Sequence, residues 1–237
     1  MTSISVTIGA AVVLPVVLLT GCATDGGAAS GDSSPPSATA TAPDSPLKAL
    51  LADAARTTQN LTTAHLVLRT TGAVDALGLI AGGDLDVQTN PLAARGTVTY
   101  DGQLDVPFSL ADGNISVKLF DEWTPIGSVD ELIPVGLLDP RKGIAAIADK
   151  VIDPRQEGTE EIDGVPVVKV TGTVPVDAAR IMLPDTDNSH KVTAWIRNDG
   201  RHDMVRTLVD VGPGQSIETT LSKWNSAVDV AAPAPAR

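Results

Sequence analysis

The sequence is poor in cysteine, in aromatic side chains and in positive charge. Cys22 is the only thiol in 237 residues, so the chain cannot form an intramolecular disulfide. Three Trp, one Tyr and two Phe leave most of the core to Val, Leu, Ile and Ala, which allows an unfilled cavity without requiring one. The net charge of −12 disfavours binding to nucleic acid or to anionic headgroups.

The first 21 residues have the pattern of a signal peptide, although residues 1–6 lack the usual Lys or Arg. The apolar run at 6–19 is shorter than the ~20 residues that a membrane-spanning helix needs. It ends at Leu19-Thr20-Gly21-Cys22, which resembles a bacterial lipobox, where the cysteine sulfur is acylated and the chain is cut before it. We predict a lipoprotein signal peptide at 1–21 and a lipid anchor at Cys22 on the extracytoplasmic face of the cell membrane. The alternative is an ordinary buried thiol.

The remaining chain reads as one domain between two flexible ends. Residues 22–44 are rich in Ala, Gly, Ser, Thr and Pro, which predicts a flexible tether. Residues 45–230 hold the periodic apolar patterns, and the Pro/Ala tail at 231–237 is expected to be disordered. Ser45-Pro46 has the signature of a helix N-cap followed by a first-position proline, and the helix should end near Asn60.

Alternating apolar and polar residues predict about ten strands. Five form a meander up to Leu119, with hairpin signals at Asp101-Gly102 and Asp112-Gly113. A hairpin turned at Asp163-Gly164 and three further strands at 191–223 follow. Helical patterns at 128–131, from Pro140 to Val151 and at 176–183 would cover the apolar face. The fold class is therefore α+β: a large curved antiparallel sheet with helices on its concave face.

Signatures of catalysis or metal binding are weak. The three histidines, His65, His190 and His202, are far apart and lack metal-ligand spacing. The run 214–218 lacks the final glycine of a nucleophile elbow. Asp185 and Asp187 lack the glycine and distal Glu of a calcium loop. We expect no catalytic residue, no metal and no cofactor.

Several segments together resemble the mycobacterial LppX/LprA/LprF/LprG lipoproteins. They are TAHLVL (63–68), GGDL (82–85), LDPRKGI (138–144), IDGV (162–165), VTAWI (192–196), the turn at 199–200, TTLSKWN (219–225) and VDV (228–230). The resemblance implies a half-barrel whose curved sheet and helices enclose an apolar cavity. It also implies binding of multi-acylated lipids or glycolipids and their movement through the cell envelope, with no enzymatic step.

Apolar positions of the meander are the candidate cavity wall, and for each the alternative is plain core. They are Leu66, Leu68, Leu85, Val87, Val98, Tyr100, Val106, Phe108, Val117 and Leu119. The expected partners are an acylated lipid or glycolipid, the membrane through Cys22 and, as a delivery partner, a membrane lipid exporter. We expect a monomer that does not bind nucleic acid. The competing hypothesis is an anchored envelope protein with an interaction or structural role and a tightly packed core.

Overall fold

The computed structural model describes residues 46–233. The predictions of a signal peptide, of the anchor at Cys22, of the tether at 22–44 and of the Ser45 cap lie outside these residues. So do the last four residues of the predicted tail.

The domain is built on one open antiparallel sheet of eleven strands in the order β6-β5-β4-β3-β2-β1-β11-β10-β9-β8-β7. The strands are β1 Thr63–Thr71, β2 Ile80–Thr89, β3 Leu92–Tyr100, β4 Leu104–Ala111, β5 Asn114–Leu119, β6 Glu122–Ser128, β7 Ile152–Ile162, β8 Val165–Val174, β9 His190–Arg197, β10 Met204–Gly212 and β11 Gln215–Ser222. β1 pairs with β11, which joins the N-terminal meander to the C-terminal strands. The predicted fold class is confirmed.

The predicted Asp-Gly hairpin turns all lie between neighbouring strands. Asp101-Gly102, Asp112-Gly113 and Asp163-Gly164 have positive φ at both residues. Two-residue hairpin turns that match the twist of the strands require this conformation, and Asp-Gly adopts it at low cost. Local turn chemistry therefore fixes the register of the two-residue hairpins at Asp112-Gly113 and Asp163-Gly164, whereas the loop at Asp101-Gly102 has a third residue, Gln103.

The strand β6, at one edge of the sheet, was not predicted. It contains Pro125 and Gly127, and its pairing with β5 shifts register between Ile115 and Ser116. Proline is tolerated at an edge because one side of the strand has no pairing partner. The missing alternation hid the strand, so the sheet has one strand more than expected.

Within residues 46–233, five α-helices and one short 3-10 helix, Asp75–Leu77, accompany the sheet. The α-helices are α1 Pro46–Gln59, α2 Val129–Leu132, α3 Val135–Leu138, α4 Ile144–Lys150 and α5 Val176–Ala179. The predictions of α1 and α2 are confirmed. The helix predicted from Pro140 begins only at Ile144, because residues 139–143 form a turn held by the Asp139 carboxylate. α5 is shorter than predicted, and α3 was not predicted.

The core lies between the helices and one face of the sheet, which we call the inner face. Leu51, Ala54 and Ala55 of α1 share a buried cluster with Leu66 of β1 and Leu85 of β2. α1 packs against α4 and also contacts β7 and β10. The helical cover is therefore centred on the middle and the β7 side of the sheet.

Each of the three tryptophans lies against a cation, and none is a buried member of the inner-face core, although Trp224 packs against its edge. Trp195 lies between Lys169 and Arg206, with ring-to-cation distances of 5.4 and 5.7 Å. Arg197 lies 5.2 Å from the ring of Trp224, and Arg95 lies 5.8 Å from that of Trp123. Trp195 belongs to a second, smaller buried cluster with Ile162, Val167 and Val205, and mostly aliphatic residues are left to fill the inner face.

Candidate functional site

An apolar cavity of about 340 Å³ lies on the inner face near β6. Its volume is in the range of ~300–1,000 Å³ that is typical of small-molecule sites. Tyr100 is the one lining residue whose side chain carries a polar group. The wall is formed by Ile80, Val98, Tyr100, Leu104, Val106, Phe108, Ile115, Val117, Leu119, Ile126, Leu132 and Ile133.

Strand pairing brings these side chains onto one face. Val98 lies directly opposite Val106, and Phe108 lies opposite Val117. Because side chains alternate between the two faces of a strand, such partners and every second residue point the same way. Leu132 of α2 and Ile133 beside it close the cavity from the helical side. Five short strands and a single helical turn therefore position the whole lining.

The ten predicted cavity residues divide into two groups. Val98, Tyr100, Val106, Phe108, Val117 and Leu119 line the cavity. The other four do not line it and lie in the buried cluster that includes α1, to which Phe108 also belongs: Leu66, Leu68, Leu85 and Val87. The structure therefore places these four in packed core rather than at the cavity, because helices cover their part of the sheet.

Several lining residues were missing from the predicted set. Leu104 and Ile115 belong to the same alternating patterns as the predicted residues, so the sequence carried a signal for them. Ile126 belongs to the edge strand that lacks alternation, and Leu132 and Ile133 come from a different layer. Only the tertiary arrangement brings these last three to the site.

Two further clefts have a different chemistry. One of about 380 Å³ lies between α1, α4 and β7, and Lys48, Asp149 and Lys150 contribute to its lining. Another of about 300 Å³ is lined by His65, Arg69 and Arg206 among others. Charged walls favour hydration over the shielding of hydrocarbon. Of these three clefts in the described residues, the cavity near β6 is the one suited to an apolar ligand.

The polar candidates from the sequence lie away from this cavity. His65 Nδ1 lies 2.8 Å from Asp86 Oδ1, and His190 Nε2 lies 2.7 Å from Thr186 Oγ1. Asp187 forms an ion pair of 2.6 Å with Arg180. Within residues 46–233, no group of three or more His, Cys, Asp or Glu side chains is arranged to hold a metal ion. No helix in the same range is long and apolar enough to cross a membrane.

Known proteins are similar to this chain in sequence and in fold. LppX from Mycobacterium leprae (strain TN), named "Putative phthiocerol dimycocerosate transporter LppX", is 43% identical over 214 residues, which cover 89% of each chain. LprG from Mycobacteroides abscessus, named a lipoarabinomannan carrier protein, is 39% identical over 191 residues, covering 78% of this chain and 83% of LprG.

The crystal structure of Mycobacterium tuberculosis lipoprotein LppX superposes with a TM-score of 0.68 at 40% identity. The match covers 78% of this chain and 98% of LppX. Residues 46–230 match the LppX_LprAFG lipoprotein family. The inner-face cavity therefore lies inside the matched region, and the chain belongs to the LppX_LprAFG lipoprotein family.

Proposed function

We propose that this protein is a membrane-anchored carrier that holds the acyl chains of a lipid or glycolipid in the cavity near β6 and moves the lipid through the cell envelope. The observation that carries the proposal is the almost wholly apolar lining of this cavity, in a family whose relatives are named as lipid carriers. The proposed anchor is Cys22.

A carrier of this kind needs shielding and no chemistry. Removing an acyl chain from a membrane exposes hydrocarbon, and each CH₂ that is buried again recovers ~0.8 kcal/mol. Val98, Val117 and Ile115 offer such shielding without a hydrogen-bonding group. We therefore infer that the protein is not an enzyme and that its cargo leaves chemically unchanged.

The headgroup of the cargo is expected to stay in water. Tyr100, Leu104 and Leu119 line the cavity and are 45%, 57% and 42% exposed, so the cavity opens to solvent at one end of the sheet. A bound lipid would bury its chains inside and leave its polar part at this opening. The proposal thus accommodates glycolipids as well as simple acyl lipids.

A binding titration with delipidated protein tests the proposal. A fluorescent long-chain fatty acid should bind saturably and be displaced by unlabelled diacyl lipid. Water-soluble sugars that match glycolipid headgroups should not displace it. Absence of saturable binding would favour the alternative, an anchored envelope protein with an interaction or structural role.

A further inference from the structure

Exposed apolar side chains cluster at the cavity opening. β2 begins, β3 ends and β4 begins at the same end of the sheet, as the pairs Ile80 with Tyr100 and Tyr100 with Leu104 show. β5 runs antiparallel to β4 and therefore ends there as well. Leu79 is 54% exposed and Phe120 is fully exposed at this end. We call Leu79, Tyr100, Leu104, Leu119 and Phe120 the apolar rim.

Phe120 sits where the turn chemistry favours another residue. Phe120 and Asp121 have φ values of 48° and 69°, as in a hairpin turn with both central residues left-handed. Two other two-residue hairpins of this chain place Asp-Gly at such a turn, at 112–113 and 163–164. A bulky residue with positive φ is unusual, and such local departures concentrate at functional sites. Phe120 therefore exposes its ring at a tip where Asp would fit with less strain.

We propose that the apolar rim is a membrane-docking surface. It contacts zwitterionic headgroups, which carry no net charge, on the bilayer that supplies or receives the bound lipid. The proposal rests on the proposed lipid-carrier function. The rim is continuous with the cavity wall, because Tyr100, Leu104 and Leu119 belong to both. An acyl chain could then pass from the bilayer into the cavity without crossing water.

Charge near the rim selects the kind of membrane. Asp101, Asp121 and Glu122 flank it, and Lys118 forms an ion pair of 3.1 Å with Asp121. Anionic headgroups would therefore be repelled, whereas an uncharged interface accepts exposed aromatic and aliphatic side chains.

The length of the segment between Cys22 and Pro46 is compatible with this docking. Cys22 precedes Pro46 by 24 residues. If this segment is the flexible tether that its composition predicts, its root-mean-square reach is about 25–30 Å. An anchor at Cys22 would thus keep the domain close enough to its own membrane for the rim to touch it.

The first test places a dye at the rim of the full-length protein reconstituted in phosphatidylcholine vesicles. The variant Phe120→Cys is labelled with an environment-sensitive dye. Asn114→Cys, at the other end of β5, is the matched control. The parent chain is treated in the same way to measure any labelling of Cys22. Interfacial side chains lie ~5–10 Å into the headgroup and acyl boundary, so nitroxide lipids should quench the dye at 120 at least about twofold more than at 114. Equal quenching at the two positions would overturn the proposal. Light scattering that shows a dimer, with the dye at 120 shielded between the two copies, would overturn it as well.

The second test separates docking from cargo binding. Phe120→Asp should fold, because Asp tolerates the left-handed conformation better than Phe. In Phe120→Asp, transfer of a fluorescent diacyl lipid between vesicles should slow about tenfold, while equilibrium binding of a soluble short-chain fatty acid stays unchanged. The control variant Asn114→Asp should change neither quantity. Unchanged transfer in Phe120→Asp would overturn docking and leave the carrier function intact. If the parent chain does not bind the long-chain fatty acid saturably, the carrier function fails, and quenching at 120 still decides whether the rim docks.

Discussion

Asp139 and Arg141 form a bidentate ion pair around a fully buried carboxylate. Arg141 Nε and Nη2 each lie 3.1 Å from one oxygen of Asp139, and the Arg141 backbone N–H donates to the same carboxylate at 3.0 Å. Nη2 also donates to the carbonyl of Thr89 at the end of β2. This pair therefore ties the turn before α4 to the hairpin between β2 and β3.

We predict that Arg141→Met is strongly destabilising. The substitution leaves the Asp139 carboxylate buried without its cation, which typically costs ~3–5 kcal/mol. Arg56→Met is the matched control, since Arg56 pairs with Asp53 at 2.9 Å but is 67% exposed. An exposed pair contributes ~0–1 kcal/mol. Urea denaturation measures the free energy of unfolding of both variants. Equal losses of stability would contradict the conclusion that Arg141 ties the turn before α4 to the hairpin between β2 and β3.

Tryptophan substitutions distinguish cavity from core. Val98 lines the cavity, Val87 is fully buried in the core cluster, and Thr97 is the neighbour of Val98 on the opposite side of β3. Val98→Trp should keep nearly the wild-type melting temperature when lipid-free, because the indole enters open space. It should also weaken binding of acylated lipid about tenfold, since displacing two methylenes costs ~1.6 kcal/mol.

The two companion variants calibrate this result. Val87→Trp overfills the core and should lose ~1–3 kcal/mol or more. Thr97→Trp should leave lipid binding unchanged. Melting is compared without lipid, because bound lipid stabilises the fold by mass action. A large loss of melting temperature in Val98→Trp would place Val98 in solid core.

A close approach of two glycines sets the position of α4. A Cβ added to Gly143 would lie 1.8 Å from the Gly136 carbonyl oxygen, whereas one added to Gly83 would meet its neighbours only at 3.6 Å or more. Gly143→Ala must push α3 and α4 apart and should lower the melting temperature markedly. Gly83→Ala should be tolerated much better. Thermal unfolding by circular dichroism compares them, and equal melting temperatures would contradict this packing.

The anchor prediction concerns a residue outside the described structure. Cys22→Ala removes the sulfur that the lipobox would acylate and should shift the protein from the membrane fraction to a soluble or unprocessed form. Incorporation of a fatty-acid analogue should be lost in parallel. Thr24→Ala, two residues further on, is the control and should fractionate as the wild type does. Unchanged labelling of the Cys22→Ala protein would refute the anchor.

Local patterns in the sequence were enough to predict the sheet, and the exceptions have physical causes. Alternation placed Val98, Val106 and Phe108 on the same face, and Asp-Gly pairs marked the turns. The edge strand β6 escaped because Pro125 and Gly127 interrupt any alternation. Alternation and turn signals thus suffice to predict a strand that has one buried face and ends in a tight turn.

The boundary between cavity and core could not be predicted in this way. Leu66 and Val98 have the same kind of alternating pattern, yet Leu66 packs in the cluster that contains α1 and Val98 faces the cavity. The difference depends on where α1 and α4 lie over the sheet, which is a long-range property. The closing residues Leu132 and Ile133 depend on it as well.

The most direct measurement of the central claim is native mass spectrometry of the protein purified from its own host, wild type beside Val98→Trp and Thr97→Trp. The account predicts a co-purifying acylated lipid on the wild type and on Thr97→Trp, and a clearly reduced lipid-bound fraction on Val98→Trp. Wild-type protein that carries no lipid, or equal lipid occupancy in all three proteins, would contradict the account.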